Sequence, residues 1–106
     1  MRAAFPLMLV AVLTTAAAPV LAQEGAPVAE GKKIYADQGC YGCHMIEKAG
    51  TALAADLSHI GSKYPQAYLA QWLRDPASQK PTAHMPKIAL SETEARALAA
   101  YLSSLR

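Results

Sequence analysis

From residue 28 onward, apolar side chains recur at intervals of three and four, the spacing that places them on one face of a helix. Val28, Gly31, Ile34 and Tyr35 predict a helix from Val28 to about Gln38, with Gly39 placed to end it. Tyr68, Leu69, Trp72 and Leu73 line a second helical face. Pro65 suits that helix's first turn, where a missing N–H is not needed. The helix must stop before Pro76, which disfavours helical backbone at Asp75. The third helix opens at Ser91-Glu92-Thr93-Glu94, a capping box in which each end residue satisfies the other's backbone N–H. It runs to about Leu105, with Ala95, Leu98, Leu102 and Leu105 on one stripe and Tyr101 beside it.

Between these helices the pattern breaks down. Ala49 to Gly61 has no sustained period, and Ala77 to Leu90 is interrupted by Pro81 and Pro86. No strand signal, internal repeat or low-complexity tract is found, and Gln23 to Pro27 reads as a short flexible leader to the first helix. The expected fold is all-α, with three main helices and long loops. Loops of that length in a small domain usually wrap around something.

The first 22 residues follow a different pattern. Arg2 is a lone positive charge, Ala3 to Leu13 form an apolar run broken by Pro6, and Val20-Leu21-Ala22 ends on small residues. This is the layout of an export signal cleaved after Ala22, leaving one domain over residues 23–106. A retained membrane span needs about 20 predominantly apolar residues, and this stretch reaches that length only by counting Thr14, Thr15 and Pro19. The expected location is therefore the periplasm, with no stable membrane insertion once the signal is removed.

Composition narrows the choice further. The whole chain of 106 residues is 53% hydrophobic, a figure raised by the apolar leader. The remainder is rich in alanine and poor in large aliphatic residues. A core this small seldom supplies more than about 3–5 kcal/mol, and natural domains of this size add a metal, disulfides or another staple. Ten basic residues face eight acidic ones, and losing Arg2 brings them nearly into balance. The lysines are scattered, without the basic run expected of a nucleic-acid binder.

The staple is supplied by Cys40-Tyr41-Gly42-Cys43-His44, which contains the chain's two cysteines. Thiols at i and i+3 with an imidazole at i+4 share one face of a helical turn. They suit two thioether bonds to one porphyrin edge with the histidine beneath the iron, and C-x-x-C-H is the signature of c-type haem attachment. Three other uses of the pair fit less well. A thioredoxin-like redox centre lacks its βαβ context. A zinc site needs further ligands, and His59 and His84 do not have the usual spacing. A disulfide across two residues is strained.

The iron's other axial position has three candidates downstream: Met85, His84 and His59. Met45 adjoins His44 and cannot swing to the opposite face. Met85 lies in His84-Met85-Pro86, in the irregular segment before the last helix, where a loop is free to cross the haem. Pro86 stiffens the backbone behind a weak neutral ligand. A methionine also serves as an ordinary gap-filler, and His84 is the nearest rival ligand.

With these residues in view, the chain from residue 23 resembles the class I c-type cytochromes, the small monohaem electron carriers of bacteria and mitochondria. Gly31 and Tyr35 correspond to that family's glycine and aromatic on the first helix, and Leu98 and Tyr101 to the last-helix positions packed across them. Cys40, Cys43 and His44 match the attachment motif, and Met85 matches the distal ligand. The stretches 56–61 and 72–76 are similar to a bacterial branch. One departure stands out: Ala54-Ala55 replaces the family's glycine-proline, whose proline carbonyl accepts a hydrogen bond from the ligand histidine. An alanine carbonyl at Ala55 is chemically able to do the same.

The resemblance implies a cytochrome c fold wrapped around one covalent haem c, with no enzymatic activity. It implies one-electron exchange with redox proteins such as a dehydrogenase, a reductase or a terminal oxidase. The leading expectation is a monomeric soluble carrier. The alternative is a haem subunit docked permanently in a multi-subunit oxidoreductase. An open-iron enzyme or gas sensor of the cytochrome c′ kind fits poorly, because there the motif lies near the C-terminus. Trp72 has two open readings: donor to a haem propionate, as the family often arranges, or helix-face core. Lys63, Arg74, Lys80 and Lys87 are either a ring that steers an acidic partner or ordinary solvated surface.

Overall fold

The computed structural model describes residues 2–16 and 20–106. Part of the expected leader, Met1 and Ala17–Pro19, lies outside the described residues. Residues 2–16 carry no regular structure, and Phe5, Leu7, Met8 and Leu9 are exposed. No helix among the described residues is long and apolar enough to cross a membrane.

Helix α1 spans Val20–Asp37, so residues 23–27 are helical and not the flexible leader expected. Pro27 sacrifices the bond its N–H would give to the Gln23 carbonyl. The surrounding Leu21, Ala22, Gln23, Glu24 and Ala26 are good helix formers and carry the helix through. Its end is as predicted. Gly39 takes a left-handed conformation (φ 73°, ψ 27°), which lets the chain turn sharply into the cysteine motif.

Three short elements follow. Strands β1 (Met45–Ile46) and β2 (Ala49–Gly50) pair antiparallel, Met45 opposite Gly50 and Ile46 opposite Ala49. Strands of two residues are too short to leave an alternating pattern, which is why the sequence carried no sign of them. Helix α2 (Ile60–Lys63) lies at the end of the region expected to be loop. Helix α3 (Gln66–Arg74) follows Pro65 and ends before Pro76, as predicted. The segment beyond it opens with α4 (Pro76–Gln79) and is then irregular up to Ser91.

Helix α5 spans Glu92–Ser103 with the capping box in place: Glu94 N–H donates to Ser91 Oγ at 3.1 Å, and Ser91 N–H donates to Glu94 Oε1 at 3.0 Å. It buries Ala95, Ala97, Leu98, Ala99, Tyr101 and Leu102, a face wide enough to pack on both α1 and α3. The closest approach is at Gly31, where a Cβ would run into the Ala97 carbonyl and the Tyr101 Cβ. One turn further along α1, Tyr35 is 1% exposed and meets Tyr101 edge-on at 5.8 Å. The core cluster joins α1, α3 and α5 through Ile34, Tyr35, Leu69, Leu73, Leu98 and Leu102. Its side chains are modest in size, and no buried polar or charged residue is found among the described residues.

Gly31→Ala should therefore destabilise the haem-loaded protein by about 1–3 kcal/mol, the usual cost of overpacking a tight contact. Urea unfolding followed by far-ultraviolet circular dichroism measures this, and an unchanged midpoint would show that the helices can part at no cost.

Candidate functional site

The cysteine motif begins where α1 stops. Gly39 reverses the chain, and Cys40–Gly42 form one tight 3₁₀ turn. His44 N–H then donates to the Cys40 carbonyl at 3.0 Å, so His44 stands one helical turn from Cys40, as the i, i+4 spacing predicts. Tyr41 packs edge-on against Tyr35 at 4.6 Å, which ties the turn to α1. The two thiols are free of each other: Cys40 is half-buried and Cys43 exposed. Burial pushes the Cys40 thiol pKa upward, partly offset by a backbone hydrogen bond.

The loop after β2 folds back over the motif and uses up its carbonyls. Leu53 and Ala54 N–H both donate to the Cys43 carbonyl, at 3.1 and 2.8 Å. Thr51 N–H donates to the His44 carbonyl at 3.2 Å, and Leu57 N–H to the Met45 carbonyl at 2.8 Å. In return the loop presents the Ala55 carbonyl 2.7 Å from His44 Nδ1. A carbonyl only accepts, so Nδ1 carries the proton and Nε2 keeps its lone pair. The alanine thus supplies the acceptor that proline supplies in the sequences this chain resembles.

A second knot braces the same loop. Ser58 Oγ accepts from Glu47 N–H at 2.6 Å and donates to Asp56 Oδ1 at 2.6 Å, while Ser58 N–H donates to the same carboxylate at 2.8 Å. These bonds hold the Asp56 carboxyl below the usual carboxylate range. Neither the hairpin nor this knot was foreseen from sequence. An Asx turn at Asp56-Leu57-Ser58 is the one local signal that points to it.

Met85 lies on the irregular segment before α5, half-buried against the core cluster that also receives Cys40 and Tyr41. Its Sδ is 3.2 Å from the Trp72 Nε1–H of α3. The indole is half-buried, and its polar edge is directed at the methionine sulfur, a partner that neither sequence reading of Trp72 named. The rival ligands His59 and His84 are exposed. No cluster of three or more His, Cys, Asp or Glu side chains able to hold a metal is found among the described residues.

Of the four cationic residues considered for steering, all are exposed, but only Arg74 and Lys87 line a common cleft, of about 350 Å³. Neither this cleft nor a second of about 440 Å³ between α3 and α5 contains a motif residue.

A mainly helical fold with paired thiols, an oriented imidazole and a half-buried thioether defines a small haem protein of the cytochrome class. The chain matches the family model for cytochrome c over residues 28–106, and it belongs to that family. It is also 33% identical over 86 residues to cytochrome c oxidase subunit 2 of Alkalihalophilus pseudofirmus. That match covers 73% of this chain and 25% of the relative, so the chain spans about a quarter of that protein's length. No solved structure matches.

Family membership brings a covalent haem c with its iron and a role in electron transport. The donor set fits the group: two unpaired thiols in one turn, and an imidazole whose Nδ1 is committed to Ala55.

The Asp56 knot gives a pH prediction. Because Asp56 has a lowered pKa in the folded protein, its contribution is complete above the ordinary aspartate range and is lost as pH falls through the folded value. The stability difference between wild type and Asp56→Asn should thus persist at neutral pH and close under acid. Urea unfolding of both at several pH values checks this; a difference that grows on acidification contradicts it.

Proposed function

We propose that this chain is an exported single-electron carrier in which loops and three main helices enclose one haem held by Cys40, Cys43, His44 and Met85. The observation that carries the reading is the His44 ring, proton-locked on Nδ1 by Ala55 and presenting Nε2 from the turn that also bears both thiols. Cys40 and Cys43 would anchor the porphyrin edge by thioether bonds, and His44 Nε2 and Met85 Sδ would occupy the two axial positions. The half-burial of Met85, against the exposure of His59 and His84, supports the choice of distal ligand.

When bound, the haem supplies a one-electron ferric/ferrous couple. The residues then decide what is done with it. Two protein ligands close the iron to small molecules, which favours transfer over catalysis. A thioether in place of a second imidazole raises the potential. The same ligands in both oxidation states keep rearrangement small. The covalent anchor also offsets the shortage of large apolar residues in the core, since a metal or cofactor staple is what a domain of this size usually needs.

The apolar stretch of residues 2–16 supports an export signal removed after Ala22, giving a periplasmic protein of residues 23–106. Its partners would be other redox proteins, and alone it would be a monomer. The similarity to part of an oxidase subunit favours a second reading, a haem domain docked permanently in a multi-subunit oxidoreductase. Gel filtration of native extract separates the two, because a free carrier elutes near its own mass.

Purified exported protein should begin at Gln23 and carry the added mass of one haem. Its ferric form should show the weak red absorption of sulfur-to-iron ligation. Met85→Ala should abolish that band and let carbon monoxide bind the ferrous protein rapidly at neutral pH. A band that survives the substitution would remove Met85 from the iron.

A further inference from the structure

Helix α5 is met by a second glycine besides Gly31. At Gly61, a buried residue of α2, a Cβ would run into the carbonyl of Ser103, the last residue of α5. Gly61 does not have the positive φ of Gly39 and Gly50, so its missing side chain serves a close approach and not a turn. Its N–H donates to the Leu105 carbonyl at 2.8 Å. That acceptor is firmly placed. Ser104 N–H donates to the Ala100 and Tyr101 carbonyls, at 3.2 and 3.0 Å, and Leu105 N–H donates to the Leu102 carbonyl at 3.1 Å. The Leu105 side chain packs against the core cluster.

What Gly61 fastens is the far end of the loop that serves the His44 ring. Ile60 N–H donates to the Leu57 carbonyl at 3.2 Å, so residues 57–60 form one turn, with Leu57 and Ile60 both buried. Leu57 N–H in turn reaches the Met45 carbonyl at 2.8 Å. Just before it stands Ala55, whose carbonyl accepts from His44 Nδ1 at 2.7 Å. The path from Leu105 to the imidazole is therefore a run of backbone hydrogen bonds through one buried turn. Helix α5 thus receives the attachment region from two directions. The segment leading into Cys40 reaches it at Gly31, and the segment leading away from Ala55 reaches it at Gly61.

We propose that Gly61 is a positioning residue for His44: its contact with the backbone of residues 103–105 sets where the Ala55 carbonyl stands, and hence how strongly that carbonyl holds the ring. This rests on the reading of His44 as an iron ligand. A hydrogen bond at Nδ1 makes Nε2 more basic, and a more basic imidazole favours ferric iron. A Cβ at Gly61 pushes α2 away from residues 103–105, draws the loop off the ring and weakens that bond. The midpoint potential then rises.

In the haem-loaded protein, Gly61→Ala should shift the midpoint potential upward and move the hyperfine-shifted proton resonances of the His44 ring in the ferric state. A variant that is less stable yet keeps the wild-type potential and ring resonances overturns the proposal, because a glycine that merely lets two segments pack has no reason to reach the iron. Leu105→Ala leaves Gly61 its space and loosens the acceptor, so it should move both readouts the same way by a smaller amount; no shift, or a shift in the opposite sense, counts against the proposal. The wild-type protein supplies a measurement that needs no variant to fold. Its Gly61 amide should exchange with deuterium as slowly as the buried amides of α5, and exchange at the rate of an exposed loop overturns the proposal. Failure of the underlying reading looks different. A wild-type ferric protein whose His44 ring gives no hyperfine-shifted resonances defeats the assignment of His44 to the iron, whereas shifted resonances that ignore Gly61→Ala defeat only the role of Gly61.

Discussion

The structure depends on how closely α1 and α5 can cross. Backbone meets backbone at Gly31, where the Ala97 carbonyl occupies the space a side chain would need. That proximity brings Tyr35 onto Tyr101, and Tyr35 in turn seats Tyr41 of the cysteine motif. The attachment turn is thus held from behind by a column of three aromatics that starts at the crossing. A core of alanines and a few leucines could not reach across a wider gap, so the poverty of large side chains and the tightness of the crossing are two aspects of one solution. It has one visible cost, since the Tyr35 hydroxyl is buried without a partner among the described residues.

From that base the motif is fixed on its other side by backbone hydrogen bonds. Successive carbonyls of Cys43, His44 and Met45 each accept from the loop of residues 51–57, and that loop gives back one carbonyl to the His44 ring. The acceptor role therefore belongs to a main-chain position, and the side chain there is of secondary importance. This explains how alanine can stand where the sequences it resembles have proline. What proline would add is stiffness, and here the Glu47–Ser58–Asp56 knot ties the same loop from outside.

Much of this was legible in the sequence where the signal was periodic or chemically specific. The three long helices, the Gly39 stop, the Ser91 capping box and the spacing from Cys40 to His44 all rest on local rules that tertiary contacts reinforced. The hairpin was not, because two residues per strand carry no period. Residues 23–27 are helical against expectation because α1 continues through Pro27, which costs the helix one hydrogen bond. The Trp72–Met85 contact was out of reach for a different reason. It joins an element to a loop 13 residues away, and no local pattern encodes where an irregular segment will lie.

The two sides of the site are consequently held in different ways. At the cysteine motif, the ring hydrogen bond of His44, three loop-to-motif backbone bonds and the aromatic column all constrain one turn. Met85, the second ligand in the proposed reading, has partial burial and a single weak-acceptor bond. Local opening follows the least anchored segment, so residues 84–87 give way before the cysteine turn when the protein is stressed. Under the ligation proposed above, the cysteine turn would keep its place through every cycle while adjustments at the Met85 sulfur left that turn undisturbed.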